Sequence, residues 1–542
     1  MKRKMKSAAI VLAGLMAISI FAGCGTDNVS SDTSTKAVAS DSAKSADGAG
    51  EPLKVKHFFN FDWFDGNYAD TAIGKELQKR TNVELEISKA PSADNQKLNL
   101  MIASNELPDL ITVDKSDPTV SKMIAGGMVY ALSDLIDQYA PEMRENSEPE
   151  YFKYYNWTDG KQYYFPSFVV TDNDLKQPDY NAVSGGTGMS AIRSDVYEAI
   201  GKPDMTTPDG FFNALKAAKE KFPKLTPWYF GPFNKDLTFF KAAEFQGYIF
   251  PATQFGIRVY DVDDGKVVSG VRNPKFLEFI KFMNKLYTNN LIASESFADA
   301  SDISQAKVSK GNFSVMSWDV LHLAEGNKIQ DNADAKWVPL PYFKDGKYFK
   351  DASGWTATFV SKKTSDPEKL MKYVSYLASE EGRQLIAWGI KGTHWDMKDI
   401  NGSQVPRYIG EWDELRASDW GKFTKDGGFT TYFAFQDDYI HNKPVVKSPS
   451  EMSEYEKTVD SNLRANRVSD IALGLINPDA ASAEGVIQAK LAELSKTYYP
   501  KMVMAGNESS AVAAYNEFLK KAEDLGLSKL EAAWTTKYSA FK

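Results

Sequence analysis

Lys54-Val55-Lys56-His57-Phe58-Phe59 reads as a strand, and the residues that follow repeat the signal. A helix is expected over 70–80, Val83-Glu84-Leu85-Glu86-Ile87 alternates as a strand, and a second helix is expected over 93–105. Pro108-Asp109-Leu110-Ile111-Thr112-Val113 then gives a third strand that ends at Asp114. Strands alternating with helices imply an α/β layer with a largely parallel sheet. Ser133 is the expected cap of a helix that stops before Pro141.

A second unit is expected from about Ala191. Thr207-Pro208-Asp209 supplies an N-cap followed by Pro at the first helical position, and Phe211, Phe212, Leu215, Ala218 and Phe222 fall mainly on one helical face. The run from Val259 to Val268 reads as a hairpin turning at Asp264-Gly265, Phe276–Tyr287 as a helix and Gly311–Trp318 as a strand. Asp366-Pro367-Glu368 opens another helix, and from about Ser450 the pattern is helical with no strand signal of comparable quality.

The 542 residues exceed the usual size of one domain, and 43% hydrophobic with 25% charged residues is ordinary for a folded body. A formal charge of −8 argues against a nucleic-acid partner. One cysteine precludes an internal disulfide, and four histidines leave little material for a metal centre. Aromatic residues reach 13%, with 11 Trp and 26 Tyr, and that excess asks for a use.

The single cysteine has a telling position. A basic start, Met-Lys-Arg-Lys-Met-Lys, precedes an uncharged, mostly apolar stretch from Ser7 to Phe21, then Ala22-Gly23-Cys24. This resembles a bacterial lipoprotein signal, with Phe21 where Leu is usual; the resemblance implies cleavage after residue 23 and diacylation of Cys24. Two acyl chains suffice for stable anchoring at a membrane's outer face. Loss of Lys2, Arg3, Lys4 and Lys6 with the leader would take the charge from −8 to −12. Residues 25–50, rich in Ser, Thr, Ala, Gly and Asp, read as a flexible tether.

Several further patterns, in order, resemble the large extracellular solute-binding lipoproteins (family 1) of Gram-positive ABC sugar importers. They are Leu107-Pro108-Asp109-Leu110; Ala191-Ile192-Arg193-Ser194-Asp195-Val196-Tyr197 running into Gly201-Lys202-Pro203 and Thr207-Pro208; and Asp264-Gly265-Lys266-Val267 with Leu286-Tyr287 and Asn290-Leu291. Glu381-Gly382 leading to Gly389-Ile390-Lys391-Gly392-Thr393-His394-Trp395, and Tyr499-Pro500 to Gly526-Leu527, complete the set. The resemblance covers residues 52–542. It implies a two-lobed periplasmic-binding-protein-like (type II) α/β fold with hinge crossovers, a cleft between the lobes and a helical C-terminal region. The expected divisions are 1–23 leader, 24–51 tether, 52–190 plus 351–440 first lobe, 191–350 second lobe, and 441–542 helical region packed on the lobes. The return crossover would run through Ser353-Gly354-Trp355-Thr356-Ala357-Thr358-Phe359.

A sugar presents apolar C–H faces and a ring of hydroxyls; aromatic faces suit the first, and Asp, Asn, Gln or Arg the second. Candidate ligand-binding residues are therefore Trp63 and Asp65 in the polar–aromatic loop after the first strand, and Asp114 at the end of the third. Trp228-Tyr229, Trp318-Asp319, Trp355 on the return crossover, and Trp395 join them. Trp63 and Trp355 lead, and Gly354 would let a ligand approach the backbone. Trp388 and His394 read as structural, and Arg193 as the partner of Asp195 or of a helix end.

No Gly-Lys pair is followed by Ser or Thr, so the ATPase that drives import must be another polypeptide. His-Glu-x-x-His and Gly-x-Ser-x-Gly are absent. Asp172-Asn173-Asp174 and Asp261-Val262-Asp263-Asp264-Gly265 lack the twelfth-position Glu of a calcium loop. No metal, cofactor or catalytic residue is called for. The reading is a monomeric, lipid-anchored substrate-binding component of an ABC importer, on the outer face of the cell membrane, passing an oligosaccharide of neutral type to permease subunits. The alternative is an exported glycoside hydrolase or lyase, since 72 Asp plus Glu leave room for a catalytic pair. A sensing partner of a membrane receptor is a third possibility.

Overall fold

The computed structural model describes residues 51–542 except 93–94, 181–188, 230–254, 258–259, 300–302, 304–306, 309, 318–328, 342, 345, 351, 430–434 and 436–437. A first sheet has the order Val83–Lys89, Leu53–Phe59, Leu110–Asp114, Thr356–Val360, Tyr164–Pro166. Its first three strands are parallel, with Leu53 opposite Val83 and His57 opposite Leu110. Helices Ala72–Thr81 and Gln96–Ser104 lie between these strands in sequence, as the alternating signals require. Thr356–Val360 runs antiparallel to both its neighbours, so the sheet is mixed and not largely parallel. The strand arrives from a distant part of the chain, free of the helical crossover that makes successive neighbours parallel.

A second sheet has the order Trp337–Pro339, Met189–Arg193, Asn312–Ser317, Thr226–Tyr229. Each sheet has its own core. One joins Val55, Phe58, Leu110, Val113, Phe359, Leu370 and Trp388. The other joins Ile192, Phe211, Phe276, Phe279, Phe313, Tyr499 and Trp534. The C-terminal helices Ala483–Val503, Glu508–Leu525 and Leu527–Ser539 are part of the second core: Phe276 stacks on Tyr515 at 5.7 Å, and Tyr260 meets Trp534 edge-on at 5.0 Å.

Local chemistry accounts for the boundaries. The side chains of Thr207, Asn273 and Asp366 accept from Gly210, Lys275 and Lys369 backbone N–H groups, each with Pro in the first turn. Ser133 is not a cap: the helix is Leu132–Tyr139 after Ala131, and the Ser133 N–H donates to the Gln162 carbonyl at 3.1 Å instead. The hairpin Tyr260–Asp263 to Lys266–Ser269 turns on Asp264 and Gly265, both at positive φ, the pairing a two-residue turn demands. The C-terminal region contains one short strand, Arg467–Ser469, which pairs in parallel with Tyr348–Lys350. Three residues are too few to display a period.

Candidate functional site

Phe59 ends the first strand, and the chain then turns through Asn60–Asn67. Phe61 and Phe64 are buried, and Phe64 stacks on Phe59 at 3.7 Å. Those two anchors leave Trp63 outermost, 50% exposed. The Asp65 carboxylate accepts from the Asn67 N–H at 2.9 Å, which tightens the turn.

Trp63 does not stand by itself. Its ring lies 5.1 Å from Phe61 and 6.1 Å from Trp355, the two indoles inclined by only 22°. Phe61 also meets Trp355 at 5.1 Å. Trp355 Nε1 donates to Asp114 Oδ2 at 2.7 Å, while Asp114 Oδ1 accepts from the Ser116 N–H at 2.8 Å and the Ser116 hydroxyl at 2.6 Å. The fold thus gathers Trp63, Asp114 and Trp355, three residues far apart in sequence, at the C-terminal ends of two parallel strands. Open α/β sheets place ligands there. Two near-parallel indoles with a fixed polar edge offer a flat apolar surface beside hydrogen-bonding groups.

The neighbouring backbone differs from expectation. Gly354 has φ +71°, and a Cβ added to it would lie 2.3 Å from the Ser167 carbonyl oxygen. The backbone that approaches Gly354 is the protein's own, so the space expected for a ligand is filled.

The remaining candidates lie elsewhere. Trp228 is fully buried in the second core, edge-on to Phe211 at 5.4 Å, so its faces are not open to a ligand. Tyr229 is buried beside it, its hydroxyl donating to Asp299 Oδ2 at 2.7 Å, where Lys307 also donates at 2.7 Å. Trp395 is buried against Trp388 at 4.8 Å, its Nε1 donating to the Gly389 carbonyl at 2.9 Å. Cys24, Trp318 and Asp319 lie outside the described residues.

Trp388 donates to the Ile440 carbonyl at 2.6 Å. His394 is buried with Nδ1 accepting from the Ile390 N–H at 2.8 Å, and burial lowers its pKa to about 4. Arg193 is paired with Asp195 at 2.7 Å and Asp331 at 2.8 Å. A separate cleft of 840 Å³ has Trp388, Trp395 and Tyr439 among its walls; Arg80 pairs there with Glu381 at 2.6 Å, and none of the indole-platform residues contributes.

Sequence reasoning passed over Phe61 and Lys115. Phe61 shares the polar–aromatic loop with Trp63, two residues away, and could have been found by that spacing. Lys115 carries no such signal.

A family profile described as bacterial extracellular solute-binding protein matches residues 72–393, more than half of the chain. The chain is 27% identical over 348 residues to the fructooligosaccharide ABC transporter substrate-binding protein FusA of Streptococcus pneumoniae, covering 60% of each. It is 24% identical over 412 residues to the polygalacturonan/rhamnogalacturonan-binding protein YtcQ of Bacillus subtilis, covering 70% of this chain and 76% of that one. The matched region thus spans 60% of the length of FusA. A structure of FusA in complex with kestose superposes with TM-score 0.68 at 19% identity, over 90% of this chain and 99% of that one. One of the alginate-binding protein AlgQ2 without calcium ion gives 0.64 at 19%, over 91% and 99%. These likenesses establish the two-lobed fold, and with the profile match the chain belongs to the bacterial extracellular solute-binding protein family.

Proposed function

We propose that this protein is the lipid-anchored substrate-binding component of an ABC importer, capturing a neutral oligosaccharide between its lobes and delivering it to permease subunits served by a separate ATPase. The observation that carries the proposal is the Trp63–Trp355 pair, held by Asp114 beside the return crossover. The first lobe is proposed as 52–190 plus 351–440 and the second as 191–350, with 441–542 packed upon them. Cys24 would carry the lipid at the outer face of the membrane, and the protein would act as a monomer.

The charge around the indole pair favours a neutral ligand. The carboxylates on the platform's loop and edge are Asp62, Asp65 and Asp114. Of the nearby cations, Lys89 donates to the Asp62 carbonyl at 2.6 Å, and Lys115 to the Ser353 carbonyl at 2.9 Å. Carboxylates repel uronates, particularly where water is thinned by a bound sugar. The relatives bind both kinds by name, a fructooligosaccharide for FusA and polygalacturonan for YtcQ. Capture would shift an open–closed equilibrium toward the closed form, and it requires no covalent step.

Incubation of the purified protein with neutral oligosaccharides (kestose, nystose, maltotriose, cellotriose) and oligogalacturonate tests the reading. Saturable one-to-one binding of a neutral member without new products is expected. Released products, or binding of oligogalacturonate alone, would overturn it.

A further inference from the structure

Gly354 is the obvious pivot for the return crossover: a glycine at φ +71° on a segment joining two lobes. Its contacts argue otherwise. Besides the Ser167 oxygen at 2.3 Å, a Cβ there would meet Val169 Cγ2 at 3.1 Å, so the glycine serves a close approach of two backbones and not free rotation. The next residue is bonded on both sides: the Trp355 N–H donates to the Ser167 carbonyl at 2.9 Å, and the Trp355 carbonyl accepts from the Lys115 N–H at 2.9 Å.

The Lys115 side chain completes this arrangement. Its ammonium donates to the Ser353 carbonyl at 2.9 Å and also to Ser353 Oγ and the Gly354 carbonyl. An ammonium has three N–H donors, and three oxygens of two consecutive residues receive them. Ser353 is fully buried. Its carbonyl also accepts from the Tyr155 hydroxyl at 2.9 Å, and its hydroxyl donates to the Gly474 carbonyl at 3.3 Å. Gly474 follows Ile471, which packs in the first core, and Leu473, which packs in the second. Ser353 is therefore where the return crossover, the first sheet and the C-terminal region meet.

We propose that Lys115 is a positioning residue for ligand capture. Its ammonium fixes Ser353–Trp355 to the end of the Leu110–Asp114 strand, so the Trp355 indole moves with the first lobe and any pivot of this crossing lies outside Ser353–Trp355. Asp114 holds the indole and Lys115 holds the backbone beneath it, a two-point clamp from adjacent residues. The inference rests on the reading of Trp355 as a ligand platform.

Hydrogen exchange of the sugar-free protein tests the clamp. In Lys115→Met the amides of Trp355 and of position 115 should exchange at least tenfold faster than in the wild type, while the Val267 amide of the second lobe, bonded to Thr535 of the C-terminal region, keeps its rate. Lys115→Arg, which keeps charge and donors, should restore protection to within threefold. Wild-type rates at both amides in Lys115→Met would overturn the proposal. Should that variant fail to fold, acetylation of the wild-type protein decides: Lys115 should react at least tenfold more slowly than exposed Lys398, and equal rates would overturn it. Both readouts need no sugar. Failure of every sugar to bind would thus overturn the functional reading while leaving the clamp supported, and unchanged exchange beside normal sugar binding would overturn the clamp alone.

Discussion

Trp355 and Asp114, 241 residues apart, are joined by a 2.7 Å hydrogen bond from indole Nε1 to Oδ2, and the other carboxylate oxygen is engaged by Ser116. Asp114 was expected to bind sugar hydroxyls; its observed bonds make it the support of an indole. The half-buried indole N–H needs an acceptor, and losing it costs about 1–3 kcal/mol. Asp114→Ala should therefore weaken oligosaccharide binding at least tenfold and move the Trp355 indole N–H resonance, whereas Asp114→Asn, which keeps an acceptor oxygen, should stay within threefold. Calorimetry and an indole-region NMR spectrum check both.

Trp63 and Trp355 should separate in their effect on stability. Trp63 is half exposed, so Trp63→Ala should alter unfolding free energy by no more than about 0.5 kcal/mol, the usual range for surface positions. Trp355 contacts Phe61 and bonds Asp114, so Trp355→Ala should cost about 1–3 kcal/mol. Denaturant melts distinguish the two.

Gly354→Ala places a methyl group 2.3 Å from the Ser167 oxygen at a φ of +71°. Backbone strain and overpacking together should cost about 3 kcal/mol. A melting temperature lowered by several degrees is expected in differential scanning calorimetry; an unchanged one would mean the backbone there yields easily.

His57 makes the first lobe acid-sensitive. It is fully buried between Phe59, which it stacks on at 4.1 Å, and Thr112, whose hydroxyl lies 2.8 Å from Nε2. Burial lowers its pKa from 6.5 to about 3. The unfolded chain takes up a proton below pH 6.5 and the folded chain does not until about pH 3, so stability falls as pH drops through that window. Between pH 6.5 and 5 the loss from His57 alone is about 2 kcal/mol. Urea unfolding at pH 7 and pH 5 should show this difference, and His57→Gln should remove that share of it.

Much of the first lobe was legible because Lys54–Asp114 alternates clean periods with turn residues. The hairpin Trp395–Ile400 to Ser403–Tyr408 was missed, although Asn401-Gly402 between its strands, both at positive φ, is a strong two-residue turn signal. Trp63 and Trp228 look alike in sequence, each an indole at a strand end. Phe61 and Phe64, in the same loop as Trp63, anchor it and leave its indole outside, whereas Phe211, on a separate helix, closes over Trp228; that second closure is made by packing between elements and has no local trace. The antiparallel return of Thr356–Val360 and the Lys115 cage are likewise properties of distant segments meeting.

Isothermal titration of the Trp63→Ala/Trp355→Ala double variant beside the wild type, using the neutral oligosaccharide that binds the wild type, tests the central claim most directly. The account predicts one-to-one binding by the wild type and at least a hundredfold loss in a double variant that still melts cooperatively. Equal affinity in the two proteins would contradict it.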